Sequence, residues 1–128
     1  NTNNITSKER YTRMKILRKS NENLTPAQIY NLCKSPTIKK MKDAVDSTIE
    51  IDSWLHYNDV NSKDEEQEIL SIATPDGEVF ATNSPTFIRE FNDMLDMMSD
   101  MDTEVHTIRV LTGKSKSDRD FITCQYIN

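Results

Sequence analysis

The residues best placed to bind a ligand lie in a short basic stretch near the C-terminal end of the chain. In VLTGKSKSDRDFITCQY, an apolar run reaches Gly113, a loop expected to be flexible follows, and the chain returns through alternating apolar and polar residues. The loop carries three cations, Lys114, Lys116 and Arg119. Such side chains bind polyanions because they displace the counterions condensed on phosphates. The stretch is a candidate phosphate-binding hairpin, and the alternative is a solvated loop.

Charge is unevenly distributed along the chain. Residues 1–42 contain ten basic and two acidic residues, whereas residues 43–111 contain three basic and seventeen acidic ones. A basic arm joined to an acidic body favours a polyanionic partner, although a charge run alone is more often a solubilising tail. One acidic strip predicts either a solvated helix face or a surface for a basic partner: Asp93, Asp96, Asp100, Asp102 and Glu104.

The sequence contains no recognisable catalytic motif. With only Gly77 and Gly113 present, a glycine-rich phosphate cradle cannot be assembled. His56 and His106 have no neighbouring metal ligands, and no serine or cysteine lies in the setting of a nucleophile. We therefore expect no catalytic residues, no cofactor and no metal, and a protein that is not an enzyme.

The expected environment is intracellular and away from membranes. Cys33 and Cys124 are far apart and have no paired spacing, which is typical of reduced, structural cysteines. An apolar stretch of the roughly 20 residues that span a bilayer is missing, as is the apolar region of a secretory signal.

The elements that must position these residues divide the chain into three parts. Residues 1–23 are polar and predict a flexible basic arm. Residues 24–44 predict two short helices, the first with Thr25 as N-cap and Pro26 at the first helical position, the second after Pro36. Residues 45–128 form the expected main domain.

From Thr48 onwards the pattern indicates strands. The stretch TIEIDSWLHYND has the period of two that is typical of a long strand, and a bulge could switch its phase midway. The stretches EILSIA and EVFAT flank the turn TPDG, and Ser84 and Pro85 then open an amphipathic helix. In the last hairpin Arg109 alternates with Ile108 and Val110, which places it on the open face. The order is that of an OB-fold, a five-stranded barrel with a helix between strands 3 and 4, and such barrels commonly bind oligonucleotides.

Two stretches of this chain resemble the single-stranded DNA-binding proteins of small tailed phages that replicate by protein priming. They are EEQEILSIATPDGEVFATNSPTF and VHTIRVLTGKSKSDRDFITCQ, and the resemblance covers about the last 80 residues. It implies an OB-fold, single-stranded DNA as partner, stacking of bases on Tyr57 and Phe80, and action in the host cell cytoplasm. A further aromatic residue expected in the link after strand 1 is missing from DVNSKDE.

The aromatic and basic residues of the chain also favour single-strand binding on physical grounds, apart from the resemblance. A sequence-tolerant binder of single strands needs aromatic faces, each worth about 1–3 kcal/mol per stacked base, and cations along the backbone. Trp54 is a further candidate face, with a core position as the equal alternative. The candidate cations are Lys63, Arg109, Lys114, Lys116 and Arg119.

The expected function is protection and organisation of displaced strands during phage DNA replication. Further partners could be other copies of the chain along the strand, and phage replication proteins. Two alternatives remain: RNA binding by the same groove, and an OB-like module that captures a host or replication protein through its acidic face.

Overall fold

The computed structural model describes residues 14–60 and 63–127. Across these ranges the chain is mainly β, with two α-helices and one 3-10 helix. The strands are β1 (Lys15–Lys19), β2 (Lys39–Lys40), β3 (Thr48–Glu50), β4 (Ser53–Val60), β5 (Glu66–Ala73), β6 (Val79–Thr82), β7 (Thr107–Lys114) and β8 (Asp120–Tyr126). The helices are α1 (Pro26–Lys34), α2 (Pro85–Asp100) and the 3-10 helix Met41–Ala44. Neither α-helix in the described ranges has the length and apolar character needed to cross a membrane.

The strands form two open sheets. The larger sheet has the order β1-β4-β5-β6-β2, and the smaller sheet has the order β3-β7-β8. Neighbouring strands are antiparallel except β2 and β6, which are parallel. The α+β class expected from the sequence agrees with this arrangement. The expected five-stranded OB barrel does not close within the described part of the chain.

The barrel stays open along a seam between β6 and β8. Among the described strands these two do not pair, because β2 pairs with the free edge of β6, with Lys40 opposite Ala81. The 3-10 helix follows β2 directly and buries Met41 and Ala44 in the core. Residues 39–44 therefore occupy the edge of β6 that β8 would need in a closed barrel.

The first predicted strand of the barrel is divided between the two sheets. The Ile51 backbone N–H donates to the carbonyl of His106, and the Asp52 N–H donates to the carbonyl of Ala73, each at 2.8 Å. Consecutive residues thus bond to different sheets. The expected switch of phase midway along this strand corresponds to the break between β3 and β4, which joins the sheets at one corner.

The main core lies between the two sheets and α2. Phe87 and Phe91 of α2 are fully buried, and Phe91 meets the Trp54 ring edge-on at a centroid distance of 5.5 Å. Ser84 caps the helix by accepting from the Phe87 N–H, and Pro85 follows at the first helical position. The capped, amphipathic helix predicted from the sequence is therefore present.

A second core lies on the opposite face of the larger sheet, beneath α1. Leu32 of α1 packs there with Leu55, Tyr57 and Val79. Thr25 and Gln28 form a reciprocal capping box at the start of the helix. Because α2 covers one face of β4 and α1 covers the other, residues 53–57 are all buried.

The N-terminal region differs from its expected form. Residues 15–19, expected within the flexible arm, form the edge strand β1, which pairs with β4 and places Lys15 opposite Asn58. The first predicted short helix is α1, whereas the second is limited to the four-residue 3-10 helix. Residues 1–13 of the predicted arm lie outside the described residues.

Candidate nucleic-acid interface

The tip of the β7–β8 hairpin is a compact turn. The Ser115 N–H donates to the carbonyl of Arg119 and the Asp118 N–H donates to that of Ser115, both at 2.9 Å. The Ser115 and Ser117 hydroxyls are 3.0 Å apart, and the Ser115 hydroxyl also accepts from the Arg119 N–H. The loop expected to be flexible therefore holds its own backbone in place.

The three cations of this hairpin differ in their surroundings. The Lys114 ammonium lies 3.5 Å from a carboxylate oxygen of Asp118 and 3.6 Å from one of Asp120. Lys116 and Arg119 are exposed, and neither side chain forms an ion pair with the described residues. Two of the three predicted cations can therefore contact a phosphate, whereas Lys114 already forms ion pairs with two carboxylates.

Arg109 lies on the outer face of the smaller sheet, as predicted. Its neighbours Ile108 and Val110 are fully buried, whereas Arg109 is exposed. The guanidinium donates to the backbone carbonyl of Asp46 at 3.3 Å. Lys63, the remaining predicted cation, is exposed just before β5.

Tyr57 is covered by α1. Only 3% of the residue is exposed, and its surroundings include Cys33 and Ser71. Burial raises the pKa of its hydroxyl to about 12. A base could reach this ring only if α1 moved away from the sheet, so the stacking role of Tyr57 stays a prediction.

The other two predicted aromatic faces belong to the main core. Trp54 is 8% exposed, which corresponds to the core alternative that the sequence left open. Phe80 is half-buried against the same core, and the Lys39 ammonium lies 5.7 Å from the centroid of its ring. The structure therefore places Lys114, Lys116 and Arg119 on the β7–β8 hairpin of the smaller sheet, whereas the three aromatic residues lie on β4 and β6 of the larger sheet.

A cleft that the sequence did not predict lies along the open seam. Its volume is 840 Å³, within the range of small-molecule sites. Its lining comes from residues 40–43 and Val45, the first half of β5, the end of β6, the start of α2, Thr112 of β7 and the start of β8. Lys40, Lys42 and Phe121 are among its lining residues. The sequence contained one signal for this cleft: in the predicted last hairpin, Phe121 lies opposite Gly113, which has no side chain to cover the ring.

Polar side chains of β1, β4, β5 and α2 form a hydrogen-bonded network. The His56 Nε2 atom lies 2.9 Å from a Glu68 carboxylate oxygen, and Nδ1 lies 3.5 Å from the Asn92 amide. Asn92 also accepts from Arg18, which pairs with Asp96 at 3.2 Å. Within residues 14–60 and 63–127, His, Cys, Asp and Glu side chains form no group of three or more that could hold a metal ion.

Comparison with known proteins identifies the family of this chain. The chain matches the family model described as Phage Single-stranded DNA-binding protein over residues 19–127, which includes every described element except most of β1. No curated protein and no solved structure matches the chain. Because the match covers most of the sequence, the resemblance drawn from the two quoted stretches is confirmed. The chain belongs to the phi29-type family of phage single-stranded DNA-binding proteins.

Proposed function

We propose that the protein binds single-stranded DNA with little regard to sequence and protects strands displaced during phage DNA replication. The observation that carries this proposal is the family match over residues 19–127. Binding of this kind needs no catalytic group, and we propose a purely binding role inside the host cell, where the phage genome is copied.

The exposed cations support contact with the DNA backbone. Arg109, Lys116 and Arg119 project from the smaller sheet and its hairpin tip, while Lys63 is exposed beside β5. Contacts to phosphates carry no sequence information, which suits a protein that must cover any strand. We propose that these four side chains contact successive phosphates of the DNA backbone. Lys114 contributes less, because Asp118 and Asp120 partly neutralise its charge.

Aromatic stacking is the second part of the proposal. Phe80 is half-buried on β6, beside the edge strand β2, and Tyr57 lies under α1. Bases could stack on Tyr57 only after displacement of α1, so a role for this residue couples DNA binding to movement of the helix. Trp54 packs too deeply between β4 and α2 to be offered as a face in this arrangement.

A titration tests the proposed function directly. The full chain is mixed with a labelled oligo-dT of about 30 nucleotides at two salt concentrations, with and without a duplex competitor. We expect saturable binding that weakens as salt rises and that resists the duplex. An absence of binding even at low salt would refute the proposal. In that case the acidic face of α2 becomes the surface on which to look for a protein partner.

Other copies of the chain and phage replication proteins are proposed as further partners. Filling of long strands, followed by protein-to-nucleotide ratio, tests contacts between neighbouring copies. A chain lacking residues 1–13 is the matched comparison. Cooperativity that does not change on deletion excludes this segment as the contact.

A further inference from the structure

We propose that the cleft along the open seam holds one base of the bound strand against the ring of Phe121, with an adjoining phosphate at Lys40, Lys42 and the start of α2. This inference rests on the proposed function and adds a binding subsite to it. The aromatic residue of this subsite, Phe121, is not one of those predicted from the sequence, which pack in the two cores.

Phe121 is an aromatic side chain without a core position. It lies on the outer face of β8, next to Thr123 and away from the buried face of the smaller sheet. Among the described residues it is half-buried, and it packs in neither hydrophobic cluster. An apolar ring that lines an open cleft loses favourable burial unless a ligand covers it.

Gly113 leaves the space that this ring occupies. The two residues are directly paired across β7 and β8. A Cβ atom at Gly113 would lie 2.6 Å from Cζ and 2.8 Å from Cε1 of Phe121. The ring therefore lies over the backbone of β7 at Gly113, in the space that a side chain there would occupy.

The remaining walls suit a base better than a sugar or phosphate. Ile69, Val45 and Ile122 supply apolar surface, while Thr82 and Thr112 supply hydroxyl groups. Gln67 and Asn83 add amides, which are joined by a hydrogen bond of 3.3 Å. Apolar walls with a few hydrogen-bonding groups are typical of small-molecule sites, and a base offers both an apolar face and hydrogen-bonding edges.

A phosphate is favoured at the rim of the cleft. Lys40 and Lys42 are exposed there, and neither forms an ion pair with the described residues. Ser84, Pro85 and Thr86 also line the cleft, so the positive end of the α2 dipole faces it.

Two acids limit where the phosphate can lie. Asp43 and Asp120 also line the cleft, and Asp120 is 3.6 Å from the Lys114 ammonium. Their charges disfavour a phosphate beside them, because like charges repel most strongly at short range. Asp120 therefore places the phosphate away from β8, on the side of Lys40, Lys42 and α2, with the base between it and Phe121; Asp43, next to Lys42, lowers the favourable charge there.

The test compares Phe121→Ala with Tyr30→Ala in the full chain. Tyr30 is a matched control because it is an aromatic residue, 62% exposed, on the outer surface of α1. Affinity is measured for an oligo-dT and for an abasic oligonucleotide of equal length. Loss of one stacked base should weaken oligo-dT binding by about 5-fold to 150-fold in Phe121→Ala. Tyr30→Ala should bind oligo-dT as the unaltered protein does.

The abasic strand separates stacking from damage to the fold. It offers phosphates but no bases, so Phe121→Ala should bind it as tightly as the unaltered protein. Equal affinities of both proteins for oligo-dT would overturn the subsite while leaving single-strand binding intact. An equal loss for both strands would also overturn it, because the effect would then not depend on a base. An unaltered protein that binds no oligo-dT refutes the proposed function itself.

Discussion

The ring of Phe121 lies so close to Gly113 that no side chain could be added at residue 113 without moving it. The pair joins the last two strands at the point where the smaller sheet meets the open seam. One residue supplies the aromatic surface and the other supplies the space for it. Each of them can be changed separately, which makes the pair a useful starting point for experiments.

Replacing Gly113 with alanine should displace the Phe121 ring. We expect a loss of up to about 1 kcal/mol in the free energy of unfolding, the low end of overpacking costs, because the half-buried ring can turn away from the new Cβ atom. Denaturation in urea measures it. The additional change Phe121→Leu should recover part of the loss, because the clash is with the ring. Gly77→Ala is the control. No atom lies within 4 Å of a Cβ there, and its cost comes from a φ of 90°, so Phe121→Leu should not relieve it.

The two lysines at the cleft should contribute to the salt dependence of DNA binding. Each phosphate neutralised on a single strand adds about 0.7 to the slope of log affinity against log salt, so loss of the one phosphate contact at the rim lowers it by about 0.7. The double change Lys40→Gln and Lys42→Gln should produce this decrease in a salt series with oligo-dT. Lys34→Gln is the matched control, since Lys34 pairs with Asp59 at 3.4 Å. An unchanged slope in the double variant would contradict phosphate contact at the rim.

Stability should fall in alkaline solution because buried Tyr57 and the half-buried Cys33 and Cys124 hold their protons more tightly in the folded protein. Burial raises the pKa of Cys33 from 9.0 to about 11, that of Cys124 from 9.0 to about 12 and that of Tyr57 from 10.0 to about 12. The folded state therefore binds these protons more tightly than the unfolded state. Their contribution to stability is complete below pH 9 and is lost as the pH rises towards 12.

The alkaline effect can be assigned to the thiols. Each group contributes a slope of up to about 1.4 kcal/mol per pH unit between its two pKa values. The variant with both Cys33→Ala and Cys124→Ala should lose less stability between pH 9 and pH 10 than the unaltered chain. Urea denaturation at several pH values measures both slopes. Identical slopes would show that the thiols are not the cause.

Packing of α1 on the larger sheet should depend on Leu32. This side chain is 1% exposed, and its replacement by alanine should cost about 2–5 kcal/mol of unfolding free energy through the cavity left behind. Tyr30→Ala on the same helix should cost less than about 0.5 kcal/mol, because Tyr30 is largely exposed. Similar losses in the two variants would contradict the packing described for α1.

The same variant tests whether DNA reaches Tyr57. If a base stacks on Tyr57 only after α1 has moved, weaker packing of the helix lowers the cost of that movement. Folded Leu32→Ala protein should then bind oligo-dT more tightly than the unaltered chain. Unchanged affinity would show that the face beneath α1 is not used, and the stacking role predicted for Tyr57 would be abandoned.

Local patterns in the sequence determined much of the secondary structure. Ser84 and Pro85 identified the start of α2, and Thr25 and Pro26 identified that of α1, because capping depends on residues close together in the chain. The alternation around Arg109 correctly predicted its outward position, since one face of β7 is buried and the other is not. The two quoted stretches were also sufficient to identify the family.

Tertiary structure decided which aromatic residues are accessible. A period of two shows which residues share a face of a strand, but it does not show what covers each face. Both faces of β4 are covered, by α1 and by α2, so Tyr57 and Trp54 are both buried although they point in opposite directions. Phe121 stays at an open cleft because residues 39–44 occupy the edge of β6 and keep the seam from closing. These contacts join segments far apart in the chain, and no local pattern contains them.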